Sequence, residues 1–376
     1  MIDVRLLAEA DRELTACNAC RYCEGLCPVF RAMERRRVFG EGDIVYLANL
    51  CHDCGACLDA CPFSPPHELA INIPKLMAEV RHESYRAYSV PRFLGRAFEE
   101  GARTAWIVTV LAIVAIFATV AAWRPAQLVA TFTGPGAFYE VIPWLAMVIP
   151  AMLVSLYGIG VLAIGLYRFW KDTDGPLSTR LDLGSLVEAT TDVLLLRQMR
   201  GGGPGCTYPD GEPNHRRVVF HQLVFYGFGL TFLSTTLAAI AQDLLDTMPP
   251  YPIWSPVVVT GTAGGIMQIV GAAGLIALKL RASAAAASAV MRRLDFAFLA
   301  LLLAANVTGL ALLVLRETPA LGGLLVIHLG TIAGLFITMP YGKFVHVIYR
   351  YAALVRNRHE EQLEGLAAPQ VEPSSM

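Results

Sequence analysis

Six stretches, at about residues 104–123, 141–168, 218–241, 257–280, 295–315 and 322–349, are nearly unbroken runs of apolar residues. Each is near or above the ~20 residues that a helix needs to cross a hydrocarbon layer. Pro143 and Pro150 predict a bend or a late start in the second run, because proline removes a backbone donor. Trp106, Trp123, Trp144, Trp170 and Trp254 flank the runs as interfacial anchors would. Ahead of them, Ile44, Leu47, Ala48 and Cys51 recur at helical spacing and predict a short helix. Between the second and third runs, Ser185 and Glu188 read as a capping box for an amphipathic helix (LVEATTDVLLLRQM) that ends in the glycines 201–203. That helix is expected on the cytoplasmic surface or against the N-terminal domain.

Composition agrees with a membrane chain. Apolar residues make up 55% of the 376 positions and charged residues only 16%, where soluble domains carry about a quarter charged. Mean hydropathy is +0.50. The net charge of −1 says nothing about nucleic acid, but no basic stripe carries interleaved aromatics, so nucleic acid is not an expected partner. Lysine and arginine crowd the segment before the first run, the 169–217 loop, the 281–294 loop and the C-terminus. The alternate connections hold only Arg124, no basic residue, and Arg316. That alternation predicts six spans in an inner membrane with both termini cytoplasmic.

Candidate chemistry is concentrated near the start. Cys17, Cys20, Cys23 and Cys27-Pro28 form a C-x2-C-x2-C-x3-C-P run, and Cys51, Cys54, Cys57 and Cys61-Pro62 repeat it. In two-cluster ferredoxins the fourth cysteine of each run ligates the other cluster. Two 4Fe–4S clusters are therefore expected, one on Cys17, Cys20, Cys23 and Cys61, the other on Cys51, Cys54, Cys57 and Cys27. A disulfide framework would need an exporting signal, which MIDVRLLAEADREL does not resemble. A zinc ribbon would use paired C-x2-C knuckles instead of a triple followed by Cys-Pro. Thiolates that ligate iron place the domain in a reducing compartment. Cys206 is the odd thiol and reads as structural, since eight others saturate both clusters.

The expected fold class is all-α: a six-helix transmembrane bundle preceded by a small helical ferredoxin-type domain with two 4Fe–4S clusters. The cluster domain is placed at 1–80, a basic juxtamembrane segment at 81–103, the membrane domain at 104–350 and a cytoplasmic tail at 351–376.

Ionisable residues within spans are costly and usually functional. His221, near the start of the third span, and His346, near the end of the sixth, fall at matching depth and are candidate axial ligands of one b-type haem. Arg217, Lys343 and Arg350 lie one turn from these histidines and are candidate partners of its propionates. His328 is 18 residues from His346, five turns along an unbroken helix, about 27 Å away at ~1.5 Å per residue. No other histidine shares its depth and Thr231 stands where a partner would be needed, so one haem is the better count; Met147, Met152 or Met267 would be unusual ligands. A membrane histidine can also simply bridge helices by hydrogen bonds, and His328 could instead meet a quinone carbonyl. His52 and His67 read as surface or packing residues, and His215 as a weaker substitute for His221. Arg31, Arg35, Arg36 and Arg37 read either as a dock for an acidic flavoprotein or as a solvated helix face.

The strings CNACRYCEGLCPVFRAMERR, YLANLCHDCGACLDACPFSPPHELAINIPK, GGGPGCTYPD and HQLVFYGF resemble the tricarballylate (or citrate) utilisation protein B family. The resemblance spans nearly the whole chain. It implies a membrane electron-transfer protein with 4Fe–4S clusters and haem that reoxidises the reduced flavin of an FAD-containing dehydrogenase and delivers electrons to quinone. In that family the partner oxidises tricarballylate to cis-aconitate. The spans also resemble the haem-bearing subunit of respiratory nitrate reductases, where histidines 18 apart serve two haems. A competing expectation is the reverse direction, a quinol-oxidising subunit feeding a cytoplasmic reductase as in heterodisulfide-reductase-like assemblies. A transporter is disfavoured by the lack of paired carboxylates within spans.

Overall fold

The computed structural model describes residues 2–98, 102–173, 182–200, 205–283, 285 and 287–367. Among them the only non-helical pairing is an isolated bridge between Cys206 and Asn214. The all-α class is therefore observed. The N-terminal domain contains α1 (Val4–Cys20), α2 (Pro28–Glu34), α3 (Glu41–Leu50), α4 (Ala56–Asp59) and α5 (Ile73–Tyr88). Its helices start where local chemistry supplies acceptors for orphan N–H groups. Asp3 caps Arg5 N at 2.8 Å, and Asn72 caps Lys75 N at 3.3 Å ahead of Pro74. The helix anticipated from Ile44, Leu47 and Ala48 is α3, whose three positions are fully buried.

Six long helices follow the short α6 (Arg92–Ala97). They are α7 (Ala102–Trp123), then after α8 (Ala137–Val141) α9 (Trp144–Thr173), then after α10 (Leu183–Leu195) α11 (Arg216–Asp243), α12 (Pro256–Arg281), α13 (Ala289–Leu315) and α14 (Leu321–Thr338). All six are long and apolar enough to cross a membrane. Their outward faces carry Leu111, Ile159 and Phe232, as lipid contact requires. The second span starts late, at Trp144 directly after Pro143, and keeps Pro150 inside the helix. The most extensive helix contact joins α11 to α12. There a Cβ on Gly264 would meet Gly227 O at 2.7 Å, so only glycine permits this approach.

Several expectations are corrected. The sixth run is not one helix: α14 stops at Thr338, a turn follows through Pro340 and Gly342, and α15 (His346–Ala367) begins separately. Proline cannot donate to the preceding turn, so the run breaks there. His328 and His346 therefore lie on different helices, and the five-turn relation fails. The boundary at 80 cuts through α5, whose later residues Arg81, Ser84 and Tyr85 are buried in the domain core. Residues 351–367 are no free tail. Most of α15 between Ala352 and Asn357 is buried, and the helix packs on α3 and α10.

The cap of α10 is Asp182, which accepts from Ser185 N at 2.7 Å; Ser185 is already inside the first turn. That helix ends at Leu195, followed by Leu196 in the left-handed region at φ 46°. Glycines 201–203 lie outside the described residues. Helix α10 packs on α15, where Arg358 holds Asp192 at 2.6 Å, and its Ala189, Leu186 and Val193 join the apolar core shared with the N-terminal domain, as expected of a helix against that domain.

Arg35 and Arg36 likewise turn inward, leaving Arg31 and Arg37 exposed. Glu360 of α15, buried to 2% exposure, faces Arg36 at 2.5 Å, Arg356 at 3.0 Å and Arg35 at 3.6 Å. Removing one member of a buried ionic group strands the others. Glu360→Ala is expected to cost about 3–5 kcal/mol and to lower the thermal midpoint of the detergent-purified protein. A midpoint equal to the unsubstituted chain would show that α15 is docked by other contacts.

Candidate metal centre

The eight cysteines of the two runs separate into two groups in space. Cys27, Cys51, Cys54 and Cys57 line one small cavity beneath α2, walled by Leu26, Val29, Phe30 and Ile73. Cys17 is crowded by the thiols of Cys61, Cys23 and Cys20. Cys23 Sγ also reaches Cys57 O at 3.9 Å, linking the two groups. The fourth cysteine of each run thus sits with the first three of the other. Local turns produce this. Arg21, at φ 56°, stops α1 directly after Cys20, and Pro28 starts α2 directly after Cys27. Gly55, at φ 82°, turns the chain between Cys54 and Cys57.

Burial pushes the Cys17 thiol up to about 12 and the Cys23 thiol up to about 11, and neighbouring thiols add to both shifts. Burial also raises Cys27 and Cys57. Such thiols give up their protons to a metal centre that compensates the thiolate charge, which couples loading to deprotonation. Among the described residues no three Cys, His, Asp or Glu side chains close on a single ion. A cube, with irons at separate corners, accepts sulfurs that are spread wider.

Cys206 is a ninth thiol beside the second group: it is fully buried against Ala56 and hydrogen-bonded to the Cys54 thiol, and its Sγ donates to Met199 O at 2.7 Å. It pins the segment before α11 onto the cluster domain. His52 is buried as well. Burial first, then Arg350, Arg217 and Arg81, keep its imidazole well below the usual histidine range and so neutral.

The structure brings His221 and His346 face to edge, with ring centroids 6.4 Å apart and planes at 88°. Metal–imidazole bonds run about 2.0–2.1 Å, so two rings sharing one metal through Nε2 have centroids about 6.4 Å apart. His346 Nδ1 lies 2.6 Å from Lys343 O. A carbonyl only accepts, so Nδ1 carries the proton and Nε2 presents its lone pair, as ligation requires. Burial first, then Lys343 and Arg350, hold His346 well below the usual histidine range. His221 Nδ1 is buried and has no hydrogen-bond partner among the described residues. The pair could hold one iron between the two rings.

The remaining histidines are elsewhere. His215 is exposed ahead of α11. His328 Nδ1 is 3.0 Å from Thr308 Oγ1, which itself donates to Ala304 O at 2.7 Å, so His328 bridges α14 to α13. Thr231 accepts from Gln268 Nε2 at 3.0 Å, and the same nitrogen reaches Asn306 Oδ1 at 3.2 Å.

The three cations expected at propionates are all engaged by the protein. Arg217 donates to His52 O and Asp53 O, Arg350 to Cys51 O, and Lys343 pairs with Asp295 at 2.7 Å. Asp295 also receives Lys279 at 2.5 Å. The sequence reading missed this buried triad. A lone carboxylate in the apolar run DFAFLALLLAANV and a lysine near the end of the preceding span were its visible signals.

Six membrane-compatible helices behind a cysteine-rich helical domain define a multi-pass membrane protein with an iron–sulfur domain. The family profile described as "Citrate utilization protein B" matches residues 99–367, and that described as "Citrate utilization protein B Fer4-like domain" matches residues 10–87. A protein of Escherichia coli named "Citrate utilization protein B" is 41% identical over 350 residues, covering 93% of this chain and 91% of that protein. The chain belongs to the citrate utilization protein B family. A Fer4-like domain with these cysteines implies iron–sulfur clusters. No solved structure matches the chain.

Proposed function

We propose that the chain carries electrons from the reduced flavin of a partner dehydrogenase, through two 4Fe–4S clusters and one b-type haem, to membrane quinone. The partner is taken to act on a tricarboxylate such as tricarballylate, in keeping with the family's name, and the cluster domain and both termini to face the cytoplasm. The observation that carries the reading is the adjacency of the second thiol group and the histidine pair. Arg217, on the backbone of His52 and Asp53, is one helical turn before His221. Arg350, on Cys51 O, is one turn after His346.

When bound, the cubes and the haem each accept and release one electron, which divides the two-electron oxidation of a flavin into single steps. The protein's own part is holding and shielding. Cys17, Cys20, Cys23 and Cys61 hold one cube, and Cys27, Cys51, Cys54 and Cys57 hold the other. His221 and His346 would hold the haem iron through their ring nitrogens, with the Lys343 carbonyl orienting the second ring. Leu26, Val29, Phe30 and Ile73 exclude water from the cavity of the inner thiol group.

The test is an anaerobic optical and EPR spectrum of detergent-purified protein after adding a reduced flavoprotein dehydrogenase, then a short-chain quinone. Reduced cluster signals and a b-type haem band should appear with the first addition and fade with the second. A colourless preparation without iron and acid-labile sulfide would overturn the reading.

A further inference from the structure

Three arginines from three helices, Arg81 fully buried and Arg217 and Arg350 half-buried, converge on one short piece of backbone. Arg81 of α5 donates through Nη2 to Cys51 O at 2.7 Å and through Nε to Ala48 O at 2.9 Å. Arg350 of α15 donates to the same Cys51 O at 2.6 Å. Arg217 of α11 donates to His52 O at 2.9 Å and also to Asp53 O. Two of these helices carry the facing histidines, and the third closes the domain core.

Guanidinium stays charged wherever it is buried, and here its hydrogen bonds go chiefly to neutral carbonyls, with Arg217 also against the Cys206 thiol and over the Tyr208 ring. Two carboxylates act in the same region, Asp53 and Asp295, and Asp295 is already bonded to both Lys279 and Lys343. Five cations thus stand against two anions. Neutral donors would satisfy the same carbonyls, so hydrogen bonding alone does not account for the charge. At the other thiol group the contrast is clear: Arg21 reaches Asn18 O at 3.2 Å from an exposed position, where water screens it.

A cube with four thiolates is anionic and gains a further negative charge on reduction. Fixed positive charge in a medium of low dielectric favours the reduced form. Resting on the reading that Cys27, Cys51, Cys54 and Cys57 hold a 4Fe–4S cluster, we infer that Arg81, Arg217 and Arg350 raise its reduction potential above that of the Cys17 cluster, drawing electrons toward the histidine pair. The transfer is balanced: one cluster is oxidised by one electron, the other is reduced by one, and no bond or proton changes place. The arginines are positioning residues that act through the cluster's electrostatic surroundings.

The experiment is a potentiometric EPR titration of both clusters in the full-length protein in detergent. Arg217→Gln and Arg350→Gln each keep an amide donor and lose the charge. At a fixed ambient potential, each should lower the reduced-to-oxidised ratio of one cluster about tenfold, equivalent to about 59 mV for a one-electron couple, and leave the other cluster unmoved. Arg350→Lys, which keeps the charge, should restore the unsubstituted ratio. If both glutamine variants hold two clusters at unchanged ratios, or if lysine shifts the ratio as far as glutamine, the inference is overturned. Should the glutamine changes cost the cluster itself, Arg217→Lys and Arg350→Lys decide: the unsubstituted ratio supports the role of charge, and a tenfold fall removes it. Failure to find two 4Fe–4S signals in the unsubstituted protein would sink the cluster reading, and the inference with it.

Discussion

Cys61→Ser and Cys20→Ser, in different runs, should extinguish the same EPR signal and leave the same one standing. Cys27→Ser and Cys54→Ser should do the converse. Each change should lower iron from about eight to about four atoms per chain, because an alcohol does not replace a thiolate on a cube and the group of four acts as a unit. The pairing follows from the grouping in space, where Cys27 shares a cavity with Cys51, Cys54 and Cys57, while Cys61 crowds Cys17. Uncrossed ligation makes the opposite forecast, grouping Cys20 with Cys27 and Cys54 with Cys61. Flavin-driven quinone reduction should be lost in all four variants, since the clusters are taken to act in series. Signals that group by run instead would refute the crossed arrangement and leave the iron–sulfur assignment intact.

The second large effect concerns the histidines. His221→Ala and His346→Ala should each remove the b-type haem band while both cluster signals persist. Loss of one of two axial bonds should weaken haem retention more than about tenfold, which corresponds to about 1.4 kcal/mol or more. His328→Ala should keep the band, because the two rings that face each other are His221 and His346, and His328 stands apart from them between α14 and α13. A band that survives replacement of both His221 and His346 would end the ligand assignment. A band lost with His328 would show that the outer half of the bundle also binds haem.

Much of this was legible in the residues. Cysteine spacing is a local code, and long apolar runs announce spans whatever surrounds them, so both were read without tertiary information. The break after Thr338 was visible in principle as Pro340 and Gly342, yet the hydropathy of 322–349 runs on through it and masked the stop. What stayed hidden was where charged side chains go. Arg217, Lys343 and Arg350 were assigned to a ligand because each is one turn from a histidine. The structure turns each toward a carbonyl or carboxylate distant in sequence, such as Cys51 O, 299 positions from Arg350. Glu360 and the arginines that hold it come from opposite ends of the chain, so no periodicity connects them. The reading of residues 351–367 as part of a tail failed for the same reason. A charged amphipathic helix has the composition of a solvated one until its buried partners are known.

The separateness of α15 has a consequence for robustness. His346 stands at the head of a helix anchored on α3, and not at the foot of α14, and Arg350, about 6 Å further along that helix, ties it to Cys51 O. Bilayers of different thickness tilt spanning helices at small cost. Such tilting would carry His221 with the spanning helix α11, yet would leave His346 tied to the cluster domain through Arg350 and Cys51.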